Sequence, residues 1–166
     1  MKSLPSIRIF LSSPGDVQSE RDLAGALIEE FAQSALCKGK VNLECVRWDD
    51  KARDLPLDSL AAAQDSVDQW IGTANECDLT IVILWKRLGT SFQASDGTDH
   101  KSGTVKEFYD GLMGGKAPWL FFCTNNKVGP DPKSPSFEDD LLQLKEAYNF
   151  AMGRVGSPVI SKKTYD

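Results

Sequence analysis

Leu79-Thr80-Ile81-Val82-Ile83-Leu84-Trp85 is the segment from which the fold can be read. Seven residues with almost no polar interruption, too short for a helix of ordinary length, read as a central parallel strand covered on both faces. Downstream, residues 86–101 form a long loop rich in Gly, Ser, Thr and Asp. Ser102 to about Leu112 reads as a helix stopped by Gly114-Gly115, and Trp119 to Cys123 is a further apolar strand.

The same alternation runs upstream. Ile7 to Leu11 reads as a buried strand that breaks at Ser12-Ser13-Pro14-Gly15-Asp16. From Val17 to about Ala35 the residues Leu23, Ala24, Leu27, Ile28 and Phe31 recur at helical spacing, with Glu20, Arg21, Glu29 and Glu30 elsewhere on the turn. Asp16 is the expected N-cap, and Lys38-Gly39-Lys40 closes the helix. Val41 to Trp48 is the second strand, followed by a Pro-containing loop, residues 49–59. A helix from Leu60 to about Glu76 carries Ala63, Val67, Trp70 and Ile71 on one stripe. Toward the C-terminus, residues 125–137 read as a surface loop, Glu138 to about Met152 as an amphipathic helix, and Pro158 to Ser161 as a short strand. Strands alternating with helices across short polar connections predict an α/β, doubly wound parallel sheet of 4–5 strands with helices on both faces. Residues 1–166 are expected to form one domain, with the N-terminal module of a longer protein as one reading.

Composition narrows the functions. Hydrophobic residues at 41% and charged residues at 26% match an ordinary globular domain. A net charge of −5 argues against a nucleic-acid or anionic-membrane footprint, because nothing here would neutralise a run of phosphates. The apolar runs are too short to span a bilayer, and residues 1–14 do not read as a secretory signal. Cys37, Cys45, Cys77 and Cys123 have no C-x-x-C spacing, and His100 is the sole histidine. A structural zinc site and a histidine-based triad are therefore disfavoured, and no metal or prosthetic group is expected. Reduced cysteines fit a cytoplasmic protein.

In an open parallel sheet the ligand crevice lies outside the carboxyl ends of the strands, where strand order reverses. Those ends lead into residues 12–16, 48–59 and 86–101, so candidate site residues are sought there. Ser12, Ser13 and Asp16 are either a capped strand-to-helix turn or a loop that holds a phosphate or ribose. Trp48 and Asp49, next to Asp50, are either a solvated turn or a stacking platform beside the crevice. Trp85 and Arg87 offer a second aromatic and a bidentate anion contact, or else a salt-bridged loop. In Ser102-Gly103-Thr104-Val105-Lys106-Glu107-Phe108, the spacing of Thr104 and Glu107 permits a capping box; the other reading turns Glu107 into the crevice.

Three blocks, in order and suitably spaced, resemble a known family. They are Ile9-Phe10-Leu11-Ser12-Ser13 with Gly15-Asp16 and Glu20-Arg21, Cys77-Asp78 leading to Trp85-Lys86-Arg87-Leu88-Gly89-Thr90, and Ser102-Gly103-Thr104 with Glu107-Phe108. Together they resemble the TIR-like "domain of unknown function" modules at the front of bacterial NACHT- or repeat-containing signalling proteins. The wider group includes catalytic TIR domains and nucleoside deoxyribosyltransferases. The resemblance implies a flavodoxin-like sheet and a glutamate, matched by Glu107, that cleaves the nicotinamide–ribose bond of NAD. Ser12, Ser13, Asp16, Trp48, Asp49, Trp85, Arg87 and Ser102 would then bind the substrate. It further implies homotypic self-association as the activating step, in bacterial, antiphage-type immune signalling. Where the catalytic TIR helix carries a Ser-x-x-Cys-x-x-x-Glu run, Thr104 and Val105 stand in the cysteine region. Two alternatives share the fold: a non-catalytic TIR-like adaptor, and a deoxyribosyltransferase-like enzyme acting on free nucleosides.

Overall fold

The computed structural model describes residues 3–49, 73–124, 129–153 and, by their backbone, 162–165. The first strand is β1 (Ser6–Ser12), then β2 (Asn42–Val46) and β3 (Leu79–Leu84). A two-stranded antiparallel hairpin follows, β4 (Phe92–Gln93) and β5 (Asp99–His100), and then β6 (Trp119–Cys123) and β7 (Lys162–Tyr165). The main sheet has five strands, all parallel, in the order β2-β1-β3-β6-β7. That is the flavodoxin-like order, with its switch point between β1 and β3. The α/β doubly wound expectation holds.

Three described helices flank the sheet: α1 (Gln18–Ala32), α2 (Gly103–Met113) and α3 (Phe137–Ala151). Side chains alternate across a strand, so each face can be followed along the register. Phe10 pairs with Val46 and with Thr80, Val82 with Leu120, and Leu84 with Phe122. Val82, Leu84, Leu120 and Phe122 pack with Val105 and Phe108 of α2 and Ala147, Phe150 and Ala151 of α3. On the opposite face Leu11 and Ile83 pack with Val17, Ala24 and Trp85 on the α1 side. Helices therefore cover both faces. Gly111 brings α2 against β3: a Cβ there would lie 2.7 Å from Thr80 Oγ1. No helix among the described residues is long and apolar enough to cross a membrane.

Several local expectations are corrected. Of the five residues expected on the apolar stripe of α1, Leu23, Leu27 and Phe31 are 61%, 54% and 50% exposed, Ala24 packs against the core and Ile28 is half-buried, while Arg21 and Gly25 are the buried residues. The helix turns its Arg21 side inward because that guanidinium is tied to the loop after β1 and to the end of β2. Asp16 is no N-cap: the start of α1 has no side-chain cap, and the Asp16 carboxylate accepts a bond from the Lys86 N–H at 3.0 Å instead. The loop over residues 86–101 contains the small hairpin, where Phe92 and His100 stack at 5.1 Å. The closing strand expected at Pro158 to Ser161 lies outside the described residues, and the described strand begins at Lys162. Most of the helix expected over residues 60–76, with Ala63, Val67, Trp70 and Ile71, also lies outside them; its end is a short 3₁₀ turn, Ala74–Glu76.

Candidate functional site

The carboxyl ends of β1 and β3 diverge at the switch point, and the cleft between them has a volume of about 860 Å³. Ser13, Pro14, Gly15 and Asp16 line it from the β1 side, and Arg87, Gly89, Thr90 and Ser91 from the β3 side. Gly103, Thr104 and Glu107 of α2, Trp48 after β2 and Gln143 of α3 complete the wall. Gly89 sits at φ +103°, where a side chain is strained, and a Cβ there would lie 3.2 Å from Ser102 Cβ. The missing side chain lets the loop after β3 press against the start of α2.

Glu107 is 3% exposed and accepts a hydrogen bond from the fully buried Ser12 Oγ. The bond joins two residues 95 positions apart, on neighbouring elements of the switch point. The capping-box reading of Thr104 and Glu107 is thereby overturned. Ser102 is the N-cap of α2, its Oγ accepting the Val105 N–H at 3.1 Å, and Glu107 lies a turn further on with its carboxylate directed to β1. A cap bonds the third helical residue; with Ser102 as cap that residue is Val105, so Glu107 is out of reach of the role.

The loop after β1 is held from below. Arg21, only 2% exposed, donates through Nη1 to Ser13 Oγ at 2.6 Å, to the Ser13 carbonyl at 3.3 Å and to the Pro14 carbonyl at 3.2 Å. Its Nε and Nη2 both reach Asp49 Oδ2 at 2.8 Å. Arg47 completes the cluster, with Nε 2.5 Å from Asp49 Oδ1 and Nη2 2.9 Å from Oδ2, and with a further bond to Asp22. Burial works against the Asp49 anion, but the bonds from Arg47 and the charge of Arg21 outweigh it and hold its carboxyl below the ordinary value. The same network raises the pKa of Arg47 through its bonds to Asp49. The Arg21 guanidinium lies 5.1 Å from the centroid of the Trp48 ring, fixing that aromatic at the cleft rim.

Asp16 sits on the cleft wall, and its pKa is raised by burial despite the backbone bond from Lys86. Its other oxygen, Oδ1, is buried without a hydrogen-bond partner, as is Oε1 of Gln143. Arg87 is the one cation among the described residues that line the cleft, and it is 54% exposed and paired with Asp140 at 2.7 Å. Ser136 Oγ holds the other Asp140 oxygen at 2.8 Å.

Of the residues expected in the site, Glu107, Ser13, Asp16, Trp48 and Arg87 meet around one cleft. Ser12 stands behind it and orients Glu107. Ser102 is a buried cap and Asp49 a half-buried counter-ion, both supporting the wall rather than forming it. Trp85 lies elsewhere, beneath the Lys86 ammonium at 4.0 Å and beside a separate groove with Phe122 and Tyr148. Asp50 lies outside the described residues. Sequence reasoning missed Arg21, Arg47 and Gln143 as parts of the site. The signal for Arg21 was its helical phase with Gly25 and Ile28, a register that competes with the larger Leu23–Leu27–Phe31 stripe. No family model and no curated protein matches the chain.

Proposed function

We propose that this domain cleaves the nicotinamide–ribose N-glycosidic bond of NAD, with Glu107 as the catalytic carboxylate. The observation that carries the reading is the Glu107 carboxylate itself. It is buried, oriented by Ser12 from another element, and set on the wall of the cleft at the sheet's switch point.

The reaction suits a single carboxylate. Nicotinamide is cationic while bound to ribose and departs as a neutral molecule, so it needs no general acid, unlike an ordinary glycosidic oxygen. Bond cleavage leaves positive charge on the anomeric carbon and ring oxygen. The ionised Glu107 stabilises that charge from a low-dielectric wall, with Ser12 fixing its orientation in advance. Water then adds to the anomeric carbon and releases a proton, giving nicotinamide and ADP-ribose. Trp48 at the rim offers a stacking surface for an aromatic ring. In this reading Arg87 faces the diphosphate only by exchanging its bond to Asp140.

The test is nicotinamide release from NAD by the wild type and by Glu107→Gln, which keeps the side-chain shape and an acceptor for Ser12. A loss of about a hundredfold or more is expected, the scale seen when one charge-stabilising group is removed. Equal turnover by the two proteins refutes the assignment.

We also propose that a second copy of the chain is the activating partner. Leu23, Leu27 and Phe31 form an apolar stripe on the outer side of α1, and every copy presents it, so two copies can close about a two-fold axis. Leu27→Lys is expected to keep the fold and to abolish concentration-dependent dimerisation in light scattering and the rise in turnover that accompanies it. The same stripe favours the second reading, a TIR-like interaction module without catalysis. That reading predicts self-association with no thermal shift from NAD or ADP-ribose.

A further inference from the structure

We infer that Asp16 and Gln143 are specificity-determining residues that read the hydrogen-bond donors of the ribosyl part of a ligand, while the diphosphate is left to the cleft's edge. The inference deepens the proposed function and rests on it.

Buried polar atoms in folded proteins are nearly always paired. Among the described residues three buried side-chain polar atoms lack a partner, and two of them, Asp16 Oδ1 and Gln143 Oε1, belong to residues that line this one cleft. Both are acceptors. They come from different elements of the cleft wall, Asp16 from the turn after β1 and Gln143 from the second turn of α3. Neither is explained by its own element: Asp16 caps no helix, and its second oxygen is occupied by the Lys86 N–H. Gln143 is half-buried on α3, and it is its Oε1 that is closed off without a partner.

The charge balance indicates which ligand atoms they meet. Asp16 and Glu107 are carboxyl groups, and the cleft's one cation among the described residues, Arg87, is already engaged by Asp140. An acceptor-rich wall of this kind repels phosphate oxygens and accepts O–H or N–H groups. A ribose, whose vicinal hydroxyls are two donors on one small ring, supplies the kind of group that both orphaned acceptors lack. Unpaired, they cost stability; paired to a ligand, each returns a hydrogen bond in a poorly hydrated place, and an analogue lacking the donors is rejected.

The two-sided consequence makes the test sharp. Gln143→Met removes the acceptor at nearly constant shape, and Asp16→Asn replaces the orphaned acceptor with a donor while an oxygen remains for Lys86. Both are measured by thermal unfolding and calorimetry with ADP-ribose and with inorganic pyrophosphate as probes. Expected are unfolding midpoints no lower than wild type without ligand, about tenfold weaker ADP-ribose binding in each variant, and no response to pyrophosphate. A tightly held water in place of a ligand would lower the ligand-free midpoint of Gln143→Met and leave ADP-ribose binding intact, which overturns the inference. Competition by pyrophosphate at equal concentration also overturns it, by making the cleft a phosphate site. If the variants bind ADP-ribose as wild type does, only the inference fails. If the wild type binds no ADP-ribose, the proposed function fails with it.

Discussion

Arg21→Met tests how the cleft is built. In the folded chain the guanidinium holds the Ser13 hydroxyl, the Ser13 and Pro14 carbonyls and the Asp49 carboxylate. Methionine keeps the apolar stem and removes every donor. Breaking a buried ion pair from one side costs about 3–5 kcal/mol. Here the lower end applies, because Arg47 still neutralises Asp49 through contacts of 2.5 and 2.9 Å. The Ser13 and Pro14 carbonyls then lose a donor in a place water reaches poorly, so about 3 kcal/mol is the expected loss. With a urea dependence of about 2 kcal/mol per molar for a domain of this size, the unfolding midpoint falls by about 1.5 M. The loss also depends on pH in a definite direction. Asp49 has its folded pKa depressed below the ordinary 3.8, so its stabilising contribution is present above that value and is lost as pH falls through the folded pKa. The gap between wild type and variant therefore narrows in acid, below about pH 4, and stays constant above it. Arg21→Lys, which keeps charge but loses the planar fork, falls between the two. A gap below about 1 kcal/mol at neutral pH, or one that persists unchanged in acid, refutes the claim that Arg21 and Asp49 form the foundation of the site.

Other consequences follow from single positions. Gly89→Ala forces a side chain to φ +103° and toward Ser102, so it is expected to cost about 1–2 kcal/mol and to weaken ADP-ribose binding, both read by calorimetry. Ser102→Ala removes the cap from the Val105 N–H and is expected to cost about 1 kcal/mol, seen as faster hydrogen exchange in the first turn of α2 with α3 unaffected. Asp16→Asn is expected to gain stability over wild type as pH rises. Burial raises the folded pKa of Asp16, so the wild type is favoured below its unfolded pKa and loses that advantage as pH rises through the folded value. Unfolding midpoints at pH 3 and pH 7 check the sign.

The sheet was legible because its strands are buried on both faces and read as apolar runs, as in Leu79 to Leu84 and Trp119 to Cys123. The helix phases were less so. In α1 the larger stripe, Leu23, Leu27 and Phe31, faces out, and the chain instead buries an arginine beside a glycine. Periodicity reads which residues are apolar, not which are claimed by a partner far along the chain. Arg21 goes inward because Ser13, Pro14 and Asp49 together engage its Nε, Nη1 and Nη2, and that can be known only when β1 and β2 are brought side by side. The same holds for Glu107. Its local sequence offered a cap three residues after Thr104, and only the neighbouring strand supplies Ser12, the partner that takes the carboxylate out of the helix end and sets it on the cleft wall. The residues that line the cleft were found where they follow strand ends, since fold geometry alone sends those loops to the switch point. Gln143 was missed for the opposite reason. It stands inside a helix, among residues that read as an ordinary amphipathic turn, and its place on the wall of the same cleft as Asp16 exists only in the fold. A site assembled from loop ends is visible in one dimension, whereas its foundation and its far wall are properties of the pairing between elements.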